Sequence, residues 1–142
     1  MPNLERAMEI ATNAHKGVVD KYSAPYIEHV KRVSNLGKTE EEKIVGALHD
    51  VVEDTDWTFE QLELEGFSKE IIDALKCVTK TSDDEDYEEF IDRVSKNQLA
   101  IRVKLNDLID NMTITRMDEF REKDLKRLNK YLKAYKKLTK LV

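Results

Sequence analysis

The stretch Ile-Val-Gly-Ala-Leu-His-Asp-Val-Val-Glu-Asp-Thr at positions 44–55 shapes the interpretation of the whole chain. Its apolar residues, at 44, 45, 47, 48, 51 and 52, recur at the spacing of one helix face. Thr39 and Glu42 precede it as a T-x-x-E capping box, in which each side chain satisfies a backbone N–H at the start of a helix. The pattern therefore predicts a helix that begins after Thr39 and continues through Val52.

Four ionisable side chains interrupt this apolar segment. At about 100° per residue, His49 and Glu53 lie on one stripe of a helix, and Asp50 and Asp54 lie on the next. Burying these groups beside a core is costly unless a cation or other strong partners compensate. Imidazole nitrogen with carboxylate oxygen suits a borderline divalent metal such as Mn, Fe, Co or Zn. The alternative is an acidic helix whose charges are solvated, and the apolar neighbours favour the metal site.

The same signals predict helices along the rest of the chain. Caps, glycine stops and apolar spacing place them between Asn3 and Gly17, Pro25 and Gly37, Thr58 and Gly66, Ile71 and Val78, Tyr87 and Val94, Ala100 and Met112, and from about Lys123 to the end. The one β-like stretch, 99–105, is too short to outweigh them. We therefore predict an all-α fold, a compact multi-helix bundle that forms a single domain over residues 1–142.

Composition narrows the class of protein. Of 142 residues, 40% are hydrophobic and 37% charged, with only four Gly and two Pro, which is typical of a solvated helical domain. The net charge of −5 argues against a general DNA- or RNA-binding domain, but a bound cation could still attract a phosphorylated small molecule. No apolar run approaches the length of a membrane span, Glu5 and Arg6 argue against a signal peptide, and the single cysteine indicates no oxidising compartment. We expect a cytoplasmic protein.

A second polar group lies in an otherwise apolar helix. Asp107 and Asn111 are four residues apart, so that one lies above the other on a helix, and Val103 and Leu108 flank them with core positions. Such a pair is usually exposed. It becomes significant if its helix packs against the segment that carries His49.

Short motifs follow one another over most of the chain, from about Ala7 to Met112. They are Ala14-His15-Lys16-Gly17, Lys21, Pro25-Tyr26-Ile27-Glu28-His29, His49-Asp50-Val51-Val52-Glu53-Asp54-Thr55, Val78-Thr79-Lys80, and Val103-Lys104-Leu105-Asn106-Asp107 with Asn111-Met112. In this order they resemble the HD-domain phosphohydrolases. More narrowly, they are similar to the hydrolase domain of the RelA/SpoT family and its small stand-alone relatives, which cleave the 3′-diphosphate of (p)ppGpp.

The resemblance implies a ligand set and a set of roles. Its implied ligands for a divalent metal, Mn²⁺ in the family, are His29, His49, Asp50 and Asp107. Its implied catalytic acidic pair is Glu53 and Asp54. Its implied substrate contacts are Lys21 and Asn111, and Lys80 is a further candidate to pair with phosphate. The motif analysis alone identifies His49, Asp50 and Asp107, whereas His29 enters only through the resemblance.

The resemblance implies metal-assisted hydrolysis of a phosphorylated nucleotide, with (p)ppGpp 3′-pyrophosphohydrolase as the leading activity. The same metal site acting on another nucleotide, as in NADPH phosphatases or nucleotidases, and a non-catalytic HD-fold binding module are the alternatives. Glu53 and Asp54 favour an enzyme, because binding alone needs no such pair. We expect no nucleic-acid or membrane partner, and an oligomer is left open.

The chain departs from the family at two places. Asp20-Lys21 stands where the family has Arg-Lys, and Met112-Thr113-Ile114 stands where it has Met-Arg-Thr. An arginine at position 20 would offer a planar guanidinium for stacking on a base. We therefore expect weaker selection of guanine than in the long RelA/SpoT enzymes.

Overall fold

The computed structural model describes all residues, Met1–Val142, and its regular elements are all helices, with one isolated antiparallel bridge between Val19 and Pro25. Its α-helices are α1 Leu4–Ala14, α2 Tyr26–Leu36, α3 Glu40–Leu48, α4 Val51–Asp54, α5 Phe59–Glu65, α6 Lys69–Val78, α7 Tyr87–Val94, α8 Gln98–Asn111 and α9 Glu122–Thr139, with a 3₁₀ turn at Ile114–Arg116. The predicted all-α bundle is confirmed. The β-like stretch at 99–105 lies inside α8.

Local capping signals set most helix ends. Asn3 accepts a hydrogen bond from the backbone N–H of Arg6 and caps α1. Thr58 and Gln61 form the predicted reciprocal capping box of α5, and Gly66 ends that helix at φ +100°, a conformation that favours glycine. These bonds join residues three apart, so the sequence alone could predict them.

The helix predicted through Val52 is wrong at one point, because it breaks between α3 and α4 at His49 and Asp50. The Nδ1 atom of His49 lies 2.6 Å from the carbonyl oxygen of Gly46. A side chain bonded to a nearby main-chain carbonyl competes with the helical ladder, and Asp50 leaves helical geometry at φ −108° and ψ 0°. The break aims the His49 and Asp50 side chains toward each other.

Helix α3 lies at the centre of the bundle, against α1, α2, α6 and α8. Its Gly46 allows α2 to approach closely, since a Cβ atom at this position would lie 3.1 Å from the Cα atom of Ser34. The buried apolar residues of these helices form one continuous core. This packing brings the polar ends of α2, α3 and α8 together.

Helix α9 packs on α8, and only part of its leucine-bearing face is covered. Ala134 and Leu138 are buried, but Leu125 and Leu132 remain 48% and 44% exposed. The inward face also carries Tyr131, which packs against the core. None of the helices combines the length and the apolar composition needed to cross a membrane.

Candidate metal centre

The four predicted metal ligands come together where α2, the α3–α4 break and α8 meet. The Oδ1 atom of Asp107 lies 3.0 Å from Nε2 of His29 and 3.3 Å from Nε2 of His49. The Oδ2 atom of Asp50 lies 2.9 Å from the same His49 nitrogen. Adjacent ligands of an ion bound at about 2.1 Å are also roughly 3 Å apart, so the spacing fits a divalent cation.

His49 provides a direct test of whether a cation fits. Its ring is 4% exposed, and Nδ1 is engaged by the Gly46 carbonyl oxygen. Its Nε2 is buried without a hydrogen-bond partner, although Asp50 and Asp107 lie beside it. Burial lowers the pKa of His49, but the two carboxylates outweigh burial and raise it well above its ordinary value. The two carboxylates therefore favour a positive charge at Nε2, and either a proton or a divalent metal ion fits that position.

Asp107 is held as a carboxylate by its neighbours. Lys104 donates to its Oδ2 at 2.8 Å, and Asn111 donates to its Oδ1 at 3.2 Å. Burial raises the pKa of Asp107, but Lys104 and the two histidines outweigh burial and hold it well below its usual range. Asn111, predicted as a substrate contact, therefore also orients a predicted ligand.

His29 and Asp50 are oriented by residues to which sequence analysis assigned no role. Nδ1 of His29 lies 2.6 Å from Oδ2 of Asp110, and the Tyr26 hydroxyl donates to Asp50. Burial lowers the pKa of His29, and its bonds to Asp107 and Asp110 more than reverse that effect. Spacing offered a weak signal for Asp110, which lies three residues after Asp107 on the same helix.

The acidic pair lies at the open edge of the cluster. Glu53 accepts a hydrogen bond from the backbone N–H of Lys80 at 3.0 Å, which ties α4 to the loop after α6. Asp54 has no such bond, and partial burial together with the charges of Asp50 and Glu53 raises its pKa to about 7. Burial also raises the pKa of Glu53, although the bond from Lys80 opposes that effect. The two predicted catalytic groups therefore differ in that Glu53 is fixed by a hydrogen bond, whereas Asp54 has a pKa near neutral pH.

The cluster opens into a cavity of about 250 Å³, here called the metal cleft. Four lysines line this cleft together with the predicted ligands: Lys21, Lys80, Lys104 and Lys130. Nζ of Lys130 lies 4.6 Å from the ring centre of Tyr87. Partial burial and the neighbouring cations lower the pKa of Lys130. Four lysines grouped beside the predicted metal ligands favour the binding of an anion.

A second cavity, here called the outer cavity, has a volume of about 430 Å³ and shares Lys21, Tyr26, His29 and Asn111 with the metal cleft. Its wall also carries Asp54, Arg32 and Arg116. At positions 113–114 the chain lacks the arginine of the family pattern, and Arg116, two residues further on, places a cation on this wall. Because they share four residues, the two cavities adjoin and form one extended site.

The departure at Asp20 has a structural role. Its Oδ1 accepts hydrogen bonds from the backbone N–H groups of Tyr22 and Ala24, at 2.8 and 3.0 Å. These bonds hold the loop between α1 and α2, which also presents Lys21 to both cavities. His15 ends α1 and is buried at 2% exposure, with its ring 5.1 Å from that of Tyr26.

Comparison with known proteins finds sequence similarity to nucleotide hydrolases. No protein-family model matches the chain. A guanosine-3′,5′-bis(diphosphate) 3′-pyrophosphohydrolase of Aquifex aeolicus is 30% identical over 138 residues, 89% of this chain and 19% of the relative. A probable enzyme of the same name from Synechocystis is 34% identical over 121 residues, 75% of this chain and 16% of the relative. The chain thus spans about a fifth or less of the length of these relatives.

A solved structure of a metazoan SpoT ortholog that hydrolyses ppGpp superimposes with a TM-score of 0.78. The match covers 97% of this chain and 86% of that protein, at 23% sequence identity. At this identity the similarity supports the fold, and it confirms the predicted bundle.

Proposed function

We propose that this chain, which is similar to the RelA/SpoT-type hydrolases along most of its length, is a metal-dependent (p)ppGpp 3′-pyrophosphohydrolase and that residues 1–142 form one hydrolase domain. One observation carries the proposal. Two imidazoles and two carboxylates converge at hydrogen-bonding distance and open into a cleft lined by four lysines. A diphosphate ester bound to a divalent cation complements both parts of this site.

The ligands in this proposal are His29, His49, Asp50 and Asp107, and the ion is Mn²⁺. Two nitrogen and two oxygen donors suit a borderline ion better than Ca²⁺, which takes oxygen ligands. A bound divalent cation supplies a water of lowered pKa at neutral pH and offsets charge on the phosphoryl oxygens. Side chains of this protein perform the remaining steps.

The reaction breaks the bond between the ribose 3′ oxygen and the nearer phosphorus of the diphosphate, while water forms the new bond to that phosphorus. Pyrophosphate leaves with the hydroxyl of the water, and the ribose oxygen takes up a proton from a side chain. The second proton of the water restores that donor. We assign the role of proton donor to Asp54, whose pKa partial burial and the charges of Asp50 and Glu53 raise to about 7 in the metal-free chain. Glu53, fixed by the Lys80 backbone, orients the attacking water.

The two cavities divide the substrate between them. Lys80, Lys104 and Lys130 face the scissile diphosphate in the metal cleft, and Lys21 lies where the two cavities join. Lys21, Arg32 and Arg116 are the cations that line the outer cavity, and we assign the 5′ phosphates of the same nucleotide to them. Arg32 and Arg116 also pair with Asp110. Two adjoining cavities with cationic lining suit a nucleotide that carries phosphates on both sides of its ribose.

Hydrolysis by the full chain tests the proposal. The protein is stripped with chelator, reloaded with Mn²⁺ and incubated with ppGpp, pppGpp, NADPH and GTP, while pyrophosphate and phosphate are measured separately. We expect pyrophosphate from ppGpp, none after chelation, and none from His49→Ala. Lys133→Ala, which changes a lysine that is 79% exposed on the outer side of α9, is the matched control and should keep its activity.

The panel also distinguishes the alternatives. Phosphate released from NADPH with no product from ppGpp would indicate the same metal site acting on a different nucleotide. Metal-dependent binding of ppGpp without any product would indicate a binding module. Either result would replace the proposed activity.

A further inference from the structure

Asp110, which is not one of the predicted metal ligands, contacts the predicted ligand His29. It does so at Nδ1, the ring nitrogen that faces away from the other ligands. Its Oδ2 lies 2.6 Å from Nδ1 of His29, while Nε2 of the same ring faces Asp107 at 3.0 Å. When Nδ1–H donates to a carboxylate, the lone pair stays on Nε2, on the side where a metal is bound. The ring is thus held both in tautomer and in direction.

Two arginines hold Asp110 in turn. Arg32 donates Nε to Oδ1 at 2.7 Å and Nη2 to Oδ2 at 3.2 Å, a two-pronged contact of fixed geometry. Arg116 donates Nη2 to the main-chain oxygen of Asp110 at 3.0 Å. Asp110 is 5% exposed, so its charge requires such partners. Arg32 keeps the carboxylate turned toward His29, and Arg116 holds the main chain that carries it.

A purely structural ion pair between α2 and α8 is the simpler explanation, and the geometry argues against it. Arg32 alone would satisfy both carboxylate oxygens, because it donates to each of them. The carboxylate nevertheless also meets His29, at a distance as short as any contact that it makes with Arg32.

We infer that Asp110 is a positioning residue for the metal ligand His29, and that Arg32 and Arg116 hold it in place. This inference rests on the proposed metal centre. Partners of this kind raise the basicity of a ligating imidazole, and their loss lowers metal affinity by about 10- to 100-fold. Asp110 acts through His29 and needs no contact with substrate.

Metal affinity in the absence of substrate tests the inference. Co²⁺ is titrated into the chelator-stripped full chain at fixed pH, and the dissociation constant and the visible absorption spectrum are recorded. We expect Asp110→Ala to bind about 10- to 100-fold more weakly, with an altered spectrum. Asp110→Asn keeps an acceptor oxygen for Nδ1–H but loses the charge, so its affinity should fall about three- to tenfold, at or below the lower end of that range.

Asp124 offers a matched control. It is 6% exposed and accepts from Nη2 of Arg127 at 2.7 Å, so it is also a buried aspartate paired with an arginine, but it contacts no predicted ligand. Asp124→Ala and Asp124→Asn should leave Co²⁺ affinity and spectrum unchanged, whatever they do to stability.

The outcomes separate this inference from the proposed function. A wild-type chain that binds no Co²⁺ overturns the proposed metal centre. A wild-type chain that binds Co²⁺ with the same affinity and spectrum as Asp110→Ala overturns the positioning role alone. If circular dichroism shows Asp110→Ala to be unfolded, Asp110→Asn decides, and wild-type affinity in that variant overturns the role.

Discussion

Replacing Asp54 by Asn should make the metal-free protein more stable at alkaline pH. In the metal-loaded protein the same substitution should abolish turnover. Partial burial and the charges of Asp50 and Glu53 raise the pKa of Asp54 from 3.8 to about 7. The folded protein therefore binds a proton here that the unfolded chain releases between about pH 4 and pH 7. Because the folded state binds more protons in this window, its stability falls as pH rises through it. Asn cannot ionise and does not show this loss.

The expected size of the stability change follows from the pKa shift of Asp54 and from the exposure of its side chain. A shift of about three pKa units corresponds to roughly 4 kcal/mol at 1.36 kcal/mol per unit. The Asp54 side chain reaches solvent, so screening reduces this upper bound to about 1 kcal/mol. For a chain of this size that difference shifts the melting temperature by about 3 °C. Such a cost in stability is common for the catalytic groups of enzymes, which is the role proposed for Asp54.

Urea unfolding in the presence of chelator, at pH 5 and at pH 8, measures the effect. We expect the stability difference between Asp54→Asn and wild type to increase by about 1 kcal/mol in favour of the variant between the two pH values. Comparing two pH values removes any pH-independent effect of the substitution. Asp56→Asn, which alters an exposed aspartate outside the cluster, is the control. The same stability difference at both pH values would refute the account of Asp54.

Three further substitutions test other parts of the structure. Lys130→Ala should raise the KM for ppGpp about three- to tenfold in steady-state assays, while Lys133→Ala leaves it unchanged; equal KM values would remove Lys130 from the substrate site. Asp20→Ala should lower the free energy of unfolding by about 1–2 kcal/mol, because it loses two hydrogen bonds, and Asp20→Asn should lower it less. Gly46→Ala should force α2 away from α3 at Ser34, lowering stability in urea by about 1–3 kcal/mol; wild-type stability would show that this contact relaxes freely.

The sequence by itself determined the fold class and most helix ends. Asn3, the Thr58–Gln61 box and Gly66 act on backbone groups within a few residues, so their effect can be predicted without knowing what packs nearby. The resemblance supplied the four predicted ligands in order along the chain. It could do so because each motif is short and its spacing is visible in one dimension.

Tertiary structure alone decided how these residues meet. His29 and Asp107 belong to helices far apart in the chain, and only the packing of α2 and α8 on α3 brings their side chains to 3.0 Å. The break at His49 and the inward face of α9, which brings Lys130 to the cleft, likewise depend on contacts between elements. Periodicity predicts that a helix has an apolar face but not which neighbour covers it, because that is settled by the shape and packing of all the helices together.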